Sequence, residues 1–267
     1  MPLTANALAR VMCSCAGRRI VASQSQRRLH DMKPILLFLA TLLAVGCDRD
    51  ASSDVSPETS GDASRSTAPA TKTSGLPRVV FLGDSITAGY GVDAEQAFPA
   101  IVRDALANEG VQIDIVNAGR SGDTTAGGVA RIDWILQQKP DVVVVGLGGN
   151  DGLRAQDVKS SEANLRAIVT KARDGGAQVL LLGMLIPPNY GPEYTKGFRE
   201  IYPRIAQEMN VPLVPFLLEG VGGEARLNQG DGIHPTADGH QIVAQNVLPH
   251  LRELLRFRAP ATAPAAQ

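Results

Sequence analysis

A serine, a histidine and an aspartate lie in stretches of this sequence that are typical of loops. Ser85 ends the run Val79-Val80-Phe81-Leu82-Gly83-Asp84-Ser85, and Asp231 precedes His234 by three residues in a segment interrupted by Gly and Pro. Hydrolysis by a serine needs a base that takes the serine proton and a carboxylate that orients the base. One short segment can present Asp231 and His234 together, so these three residues are the candidate catalytic set. Each also has an ordinary interpretation, since Gly-Asp-Ser is typical of capped turns and a lone loop histidine is usually a surface residue.

Two further residues suit the stabilisation of a developing oxyanion. Gly122 has no side chain to shield its N–H group, and Asn150 carries an amide donor. Hydrogen-bond donors of this kind form oxyanion holes. The alternatives are an ordinary loop glycine and an asparagine in a left-handed turn.

These candidate residues must be positioned by strands and helices that alternate along the chain. Apolar runs predict five strands, at about residues 79–82, 111–116, 141–147, 178–183 and 211–214. Apolar residues at helical spacing predict the intervening helices, and a final helix over about residues 236–255 with a kink at Pro249. The pattern predicts an α/β fold, a three-layer α/β/α sandwich around a flavodoxin-like, five-stranded parallel sheet with the second strand at an edge. Ligands bind at the carboxyl ends of such strands, which is where the candidate residues fall.

The composition excludes several classes of protein. The chain has 267 residues, a formal net charge of -1 and 44% hydrophobic residues, which predicts one folded domain with attachments, or at most two domains. Charges of both signs are interspersed, so no nucleic-acid partner is expected. All three cysteines, Cys13, Cys15 and Cys47, precede the folded portion, which therefore has no disulfide, thiolate nucleophile or cysteine metal site.

The N-terminal region is typical of an exported protein. Residues 1–31 are interpreted as an upstream extension before a start at Met32, the alternative being an additional targeting segment. Residues 32–46 have the positive start and short apolar core of a signal peptide, too short for a permanent membrane helix. The alternative is a buried apolar helix of the fold.

The segment Leu43-Ala44-Val45-Gly46-Cys47 resembles the lipobox of bacterial lipoproteins. That resemblance implies cleavage before Cys47 and acylation of its sulfur, with ordinary signal-peptidase cleavage nearby as the alternative. Residues 47–75 are rich in Ser, Thr, Ala, Asp and Pro, which predicts a disordered tether. The folded domain is expected over residues 76–257, followed by a disordered tail over 258–267.

Four ordered blocks of the folded portion resemble the SGNH or GDSL hydrolase superfamily. They are Gly83-Asp84-Ser85, Gly122, Gly148-Gly149-Asn150-Asp151 and Asp231-Gly232-Ile233-His234. The flanking residues are most similar to the bacterial multifunctional thioesterase, arylesterase and lysophospholipase branch. The resemblance covers roughly residues 78–255 and implies the SGNH hydrolase fold.

The resemblance also implies a role for each candidate residue. Ser85 would be the nucleophile, His234 the general base and then the general acid, and Asp231 the residue that orients His234. The backbone N–H groups of Ser85 and Gly122 and the amide of Asn150 would form the oxyanion hole, with no metal and no organic cofactor. A fatty-acyl groove is expected to be lined by four apolar residues, the alternative being core and lid packing: Met184, Leu185, Ile186 and Tyr190.

The expected function is hydrolysis of small acyl esters and thioesters, lysophospholipids among them, through an acyl-serine intermediate. One alternative is deacetylation of a surface polysaccharide, which other branches of the superfamily perform. Another is a non-catalytic lipid-binding lipoprotein. The protein is expected to be a monomer on the periplasmic side of the cell envelope, held to a membrane through Cys47, or else soluble in the periplasm or secreted.

Overall fold

The computed structural model describes residues 75–256, which contain five parallel strands in one sheet. The strands are β1 (Arg78–Gly83), β2 (Asp114–Gly119), β3 (Val142–Gly146), β4 (Gln178–Leu182) and β5 (Leu213–Val214). Their order in the sheet is β2-β1-β3-β4-β5, so β2 lies at an edge as expected. The predicted five-stranded parallel sheet is confirmed.

Helices cover both faces of this sheet. They are α1 (Ser85–Ala88), α2 (Phe98–Asn108), α3 (Thr125–Gln137), α4 (Gly149–Leu153), α5 (Val158–Asp174), α6 (Pro192–Met209) and α7 (Ala237–Arg256). On one face α2 contacts α7, and on the other α5 lies between α3 and α6. Two single 3-10 turns, Ala94–Gln96 and Pro188–Tyr190, complete the described elements. The predicted three-layer α/β/α sandwich is confirmed.

The two apolar strands β1 and β3 form the centre of the core. All six residues of β1 and all five of β3 are buried, because helices cover both faces of these strands. A run of apolar residues without polar alternation is the pattern that this environment requires. The two strands therefore form a buried base beneath the loops at their carboxyl ends.

Glycines at the carboxyl end of the sheet let α1 pack directly on the strands. Gly83 of β1 is in register with Gly119 of β2 and Gly146 of β3. A Cβ atom added at Gly83 would lie 1.9 Å from Thr87 Oγ1, and one added at Gly119 would lie 2.2 Å from the backbone nitrogen of Ala88. Side chains at these positions would therefore push α1, which carries Ser85, away from the sheet.

Two boundaries differ from the sequence-based prediction. The strand predicted over residues 111–116 begins at Asp114, because the N–H of Val111 donates to the carbonyl of Leu106 and completes the end of α2. Helix α6 begins at Pro192, whereas the apolar spacing predicts a helix only from Phe198 to Met209, because the first turns of α6 are mostly polar and show no apolar stripe. Proline favours a helix start because it has no N–H group to leave unpaired there. The short helices α1 and α4 were not predicted, because four or five residues are too few to show a period.

Several predictions concern residues outside the described range of 75–256. These are the upstream extension, the signal peptide, Cys47 with its tether, and the tail over 258–267. Within the described range, no helix has the length and apolar character needed to cross a membrane. The same residues contain no group of three or more His, Cys, Asp or Glu side chains placed to hold a metal ion.

Candidate active site

Ser85 is positioned by the junction of β1 and α1. It is the first residue of α1, and the preceding Asp84 caps the helix by accepting a hydrogen bond from the N–H of Ile86 at 3.0 Å. The first N–H groups of a helix have no partner within the helix. The cap and the buried strand therefore hold the serine at the carboxyl edge of the sheet with its hydroxyl toward the loops.

His234 and Asp231 meet Ser85 at this edge. His234 Nε2 lies 2.8 Å from Ser85 Oγ, and His234 Nδ1 lies 2.6 Å from Asp231 Oδ2. The other carboxylate oxygen, Asp231 Oδ1, accepts hydrogen bonds from the N–H groups of Ile233 at 2.9 Å and His234 at 3.0 Å. The structure thus brings together the three residues that the sequence analysis selected as the candidate catalytic set.

The charge of Asp231 orients the imidazole. Hydrogen bonds from the His234 ring, then from the backbone N–H groups of His234 and Ile233, lower the pKa of Asp231 from 3.8 to about 2. An ionised carboxylate favours the tautomer with the proton on Nδ1 of His234. Nε2 then presents its lone pair to the hydroxyl of Ser85, as a general base requires.

A glutamine clip, formed by the Gln229 side chain, joins the serine segment to the histidine loop. Gln229 Nε2 donates to the carbonyl of Tyr90 at 2.7 Å and to that of Pro235 at 3.0 Å, and the Gln229 N–H donates to the carbonyl of His234 at 2.7 Å. Gly91 leaves room for this amide, since a Cβ atom there would lie 2.1 Å from Gln229 Oε1. The ring of Tyr90 also packs against the imidazole, with centroids 4.7 Å apart. Sequence analysis missed Gln229, because a single glutamine in a loop carries no recognisable signal.

Gly122 and Asn150 are joined through the loop after β2. Gly122 adopts a left-handed φ of 79°, which favours glycine, and Asn150 Nδ2 donates to the carbonyl of the next residue, Asp123, at 3.0 Å. Asn150 itself lies in α4, not in a left-handed turn. An amide nitrogen carries two hydrogens, and one of those of Asn150 holds this loop.

A buried cluster around Asp151 and a partly buried one around Arg131 stabilise this arrangement from behind. Asp151 accepts hydrogen bonds from the N–H and hydroxyl of Thr125 at 2.9 and 2.5 Å and from Ser161 Oγ at 3.2 Å, which ties α4 to α3 and α5. The guanidinium group of Arg131 contacts Asp123 Oδ2 at 2.7 Å and the carbonyl of Gly83 at 2.9 Å. Asp151 belongs to the block Gly148-Gly149-Asn150-Asp151, but its sequence position does not indicate a role for it. The Arg131 contact with Asp123 follows no sequence spacing that could have revealed it.

A largely apolar cavity of about 560 Å³ opens beside Ser85 and His234. Its size is within the usual range for sites that bind small molecules. Met184, Leu185 and Ile186, three of the four residues expected in an acyl groove, are among its lining residues. The fourth, Tyr190, lies outside the lining, and its hydroxyl donates to the carbonyl of Leu153 at 2.8 Å.

Comparison with known proteins agrees with this fold and site. Residues 81–242 match the model of the GDSL-like Lipase/Acylhydrolase family. The chain is 46% identical to esterase TesA of Pseudomonas aeruginosa over 178 residues, covering 66% of this chain and 89% of the relative. It is 38% identical to an arylesterase of Vibrio mimicus over 179 residues (65% and 90%). It is also 39% identical over 178 residues (66% and 84%) to the thioesterase 1/protease 1/lysophospholipase L1 of Escherichia coli.

The same relationship appears in three dimensions. A crystal structure of TesA, with 46% sequence identity, superimposes with a TM-score of 0.65 over 66% of this chain and 99% of the TesA chain. The fold and the site thus define an SGNH-type α/β hydrolase. The chain belongs to the GDSL-like lipase/acylhydrolase family, and the resemblance and the SGNH hydrolase fold expected from the sequence are confirmed.

Proposed function

We propose that this protein hydrolyses carboxylic esters and acyl thioesters through an acyl-serine intermediate. The observation that carries the proposal is the continuous contact from Asp231 through His234 to Ser85 at the edge of an apolar cavity. The names of the relatives, which include an esterase, an arylesterase and a thioesterase, support the same substrate classes.

In the first step Ser85 Oγ attacks the carbonyl carbon of the substrate while His234 Nε2 accepts the serine proton. His234 then donates this proton to the departing alcohol or thiol, and the acyl group remains bound to Ser85. In the second step water attacks the acyl-serine, with His234 again acting first as base and then as acid. Asp231 stays ionised throughout and balances the charge of the imidazolium.

The negative oxygen that forms in each step needs donors. We assign this role to the N–H groups of Ser85 and Gly122 and to the free amide hydrogen of Asn150. The hydrogen bond from Asn150 to the Asp123 carbonyl supports this assignment, because it fixes the amide and the Gly122 loop before a substrate arrives. Preorganised donors of this kind typically contribute about 10²–10³ in turnover each.

The cavity is proposed to bind the acyl chain. Met184 and Ile186 are almost completely buried beside it, and Leu185 is more exposed. Burial of methylene groups against such side chains favours acyl substrates over small polar esters. Lysophospholipids carry an acyl ester of this type and are therefore included among the proposed substrates.

The experiment that tests this function is hydrolysis of p-nitrophenyl esters from acetate to palmitate by the wild-type protein and by Ser85→Ala. Turnover that rises with chain length and is lost in the variant is expected. Ser160→Ala is the matched control, since Ser160 is exposed on α5 and should leave turnover unchanged. Activity confined to acetate would favour a deacetylase, and wild-type turnover that persists in Ser85→Ala would exclude Ser85 as the nucleophile.

We further propose that Cys47 is acylated and holds the domain at the periplasmic face of a membrane as a monomer. The lipobox-like residues 43–47 and the Ser- and Thr-rich segment after them support this proposal. Cys47→Ser should move the protein from the membrane fraction to the soluble fraction of a bacterial host. An unchanged distribution would contradict a lipid anchor at this cysteine.

A further inference from the structure

The exposed apolar side chains of this molecule are concentrated at the mouth of the cavity beside Ser85. Within residues 75–256, six large apolar or aromatic residues have between 37% and 53% of their surface exposed. Three of them line the cavity, and a fourth packs against the ring of His234, which also lines it. These four residues are called the apolar rim: Leu153, Leu185, Ile233 and Tyr90.

The other two exposed apolar residues lie toward the opposite end of the sheet. Val111 comes just before β2, and Trp134 is in the second half of α3, which runs back from the carboxyl ends of the strands. Single exposed apolar residues are common on protein surfaces, whereas several around one opening indicate a site of contact. The apolar rim is therefore the part of the described surface that favours an apolar partner.

Two arginines beside the apolar rim indicate the chemistry of that partner. Arg154 directly follows Leu153, and its guanidinium group donates to the carbonyl of Gly122 at 3.2 Å. Arg120 is exposed in the same loop, two residues before Gly122. Neither arginine is in an ion pair with another residue of the described range. Both cationic side chains are thus available to anionic groups outside the chain.

The exposed acidic residues next to the cavity lining follow β5, away from these two arginines in the sheet order. Asp231 is paired with His234, and Glu219 and Glu224 lie in the segment that also carries Arg226. Positive charge is therefore concentrated on the side of the mouth that Leu153 forms. Cationic groups next to exposed apolar side chains match a phospholipid surface, which presents phosphates above acyl chains.

We propose that the apolar rim, Arg120 and Arg154 dock this domain on an anionic phospholipid surface with the mouth of the cavity facing the lipid. The docking goes beyond the hydrolysis proposed above, because it depends on the outer surface and not on the reaction at Ser85. Apolar side chains gain free energy on leaving water, and arginines are attracted to the anionic surface. An acyl chain then passes from the lipid into the cavity without crossing water.

A tryptophan reporter tests where the protein touches the lipid. The full chain with Tyr90→Trp, Trp134→Phe, Ser85→Ala and Cys47→Ser, called the reporter protein, carries its one tryptophan in the apolar rim but outside the cavity lining. On vesicles of phosphatidylglycerol its emission should shift to shorter wavelength and be quenched by brominated acyl chains. The same chain with Tyr90 and Trp134 unchanged should show neither effect.

Two equally exposed residues provide a matched pair of variants. Leu153→Ser in the reporter protein should raise the lipid concentration needed for half-maximal quenching by about fivefold, because less apolar surface leaves the water. Val111→Ser is the control, since Val111 has the same exposed fraction of 37% but lies outside the apolar rim. It should change this concentration by less than about twofold.

A charge variant tests the match to anionic lipid. Arg120→Gln should weaken binding of the reporter protein to phosphatidylglycerol vesicles by about fivefold, and binding to phosphatidylcholine vesicles by less than about twofold. In the chain with Ser85 and Tyr90 intact, Arg120→Gln should leave hydrolysis of p-nitrophenyl butyrate unchanged, because Arg120 lies outside the cavity lining. An equal loss on both kinds of vesicle would contradict the charge match.

Three results would overturn the docking surface. These are no binding to either kind of vesicle, binding without a change in reporter fluorescence, and a blue shift without vesicles in a protein that sediments as a dimer. The last would show that a second copy covers the apolar rim. If the reporter protein does not fold, Leu185→Trp replaces Tyr90→Trp. A quenched reporter in a chain whose wild type hydrolyses no ester would keep the docking surface and reject the hydrolase.

Discussion

Two aspartates near Ser85 have opposite environments. Asp231 accepts three hydrogen bonds, which lower its pKa to about 2 and keep it charged beside His234. Asp84 is buried next to Ser85, and this burial raises its pKa from 3.8 to about 6, although the N–H of Ile86 partly opposes the shift. The same side chain therefore serves as a permanent anion at one position and as a helix cap that is costly to ionise at the other.

Asp84→Asn is expected to stabilise the protein at neutral pH but not at acidic pH. The raised pKa means that the folded protein retains a proton which the unfolded chain releases, so the wild type loses stability as pH rises from about 4 to about 6. A shift of two units corresponds to on the order of 3 kcal/mol, and asparagine keeps an acceptor for the N–H of Ile86. Thermal unfolding should show a difference in melting temperature between the variant and the wild type that grows as pH rises from about 4 to about 6.

The comparison has an internal control. Burial also lowers the pKa of His240 to about 4, which makes both proteins lose stability as pH falls through the same window. This contribution cancels when the variant is compared with the wild type at each pH. A difference in melting temperature between variant and wild type that is constant from acidic to neutral pH would contradict a raised pKa at Asp84.

Among the larger elements, the site depends on two segments that are distant in sequence. Ser85 follows a central strand, whereas Asp231 and His234 lie in the loop before α7. The glutamine clip is a direct hydrogen-bonded link between the segment that follows Ser85 and the segment that carries His234. It is therefore a positioning device for the 2.8 Å contact between His234 and Ser85.

Gln229→Met should lower kcat by roughly 10- to 100-fold, because small displacements of the proposed base, His234, are costly. KM should stay within about twofold, because the proposed acyl cavity is unchanged. The rate at which a fluorophosphonate reacts with Ser85 should fall in parallel. Gln245→Met, at an exposed position of α7, is the matched control and should change neither rate. An increase in KM at constant kcat would instead place Gln229 in substrate binding.

At the scale of the whole molecule, the buried apolar residues of the described range form the core of the α/β sandwich. Every buried apolar residue of the described range lies between Val79 and Leu254, and the helices of both outer layers pack on the same sheet. A fragment of residues 75–256 is therefore expected to fold and to keep the kcat/KM of the full chain. Circular dichroism and ester hydrolysis compared between the fragment and the full chain test this expectation. A melting temperature several degrees lower in the fragment would show that residues outside this range contribute to stability.

Much of this organisation could be predicted from the sequence because it depends on local patterns. Buried parallel strands need uninterrupted apolar runs, so β1 and β3 were identifiable, and Ser85 followed as a residue at the carboxyl end of the sheet. The spacing of Asp231 and His234 suggested their contact, because three residues in a Gly- and Pro-interrupted loop keep two side chains close together. The start of β2 was placed three residues too early, since the apolar Val111 belongs to the turn that ends α2.

The sequence by itself therefore determined the α/β class, the order of the elements and the identity of the candidate catalytic residues. Only the tertiary structure decided which side chains surround them. The Arg131 contact with the Gly83 carbonyl, the Gln229 contact with the Tyr90 carbonyl and the Tyr190 contact with the Leu153 carbonyl all depend on how separate segments pack against one another. No local propensity or spacing encodes these contacts, because they arise only when the sheet brings the loops of different strands to one edge.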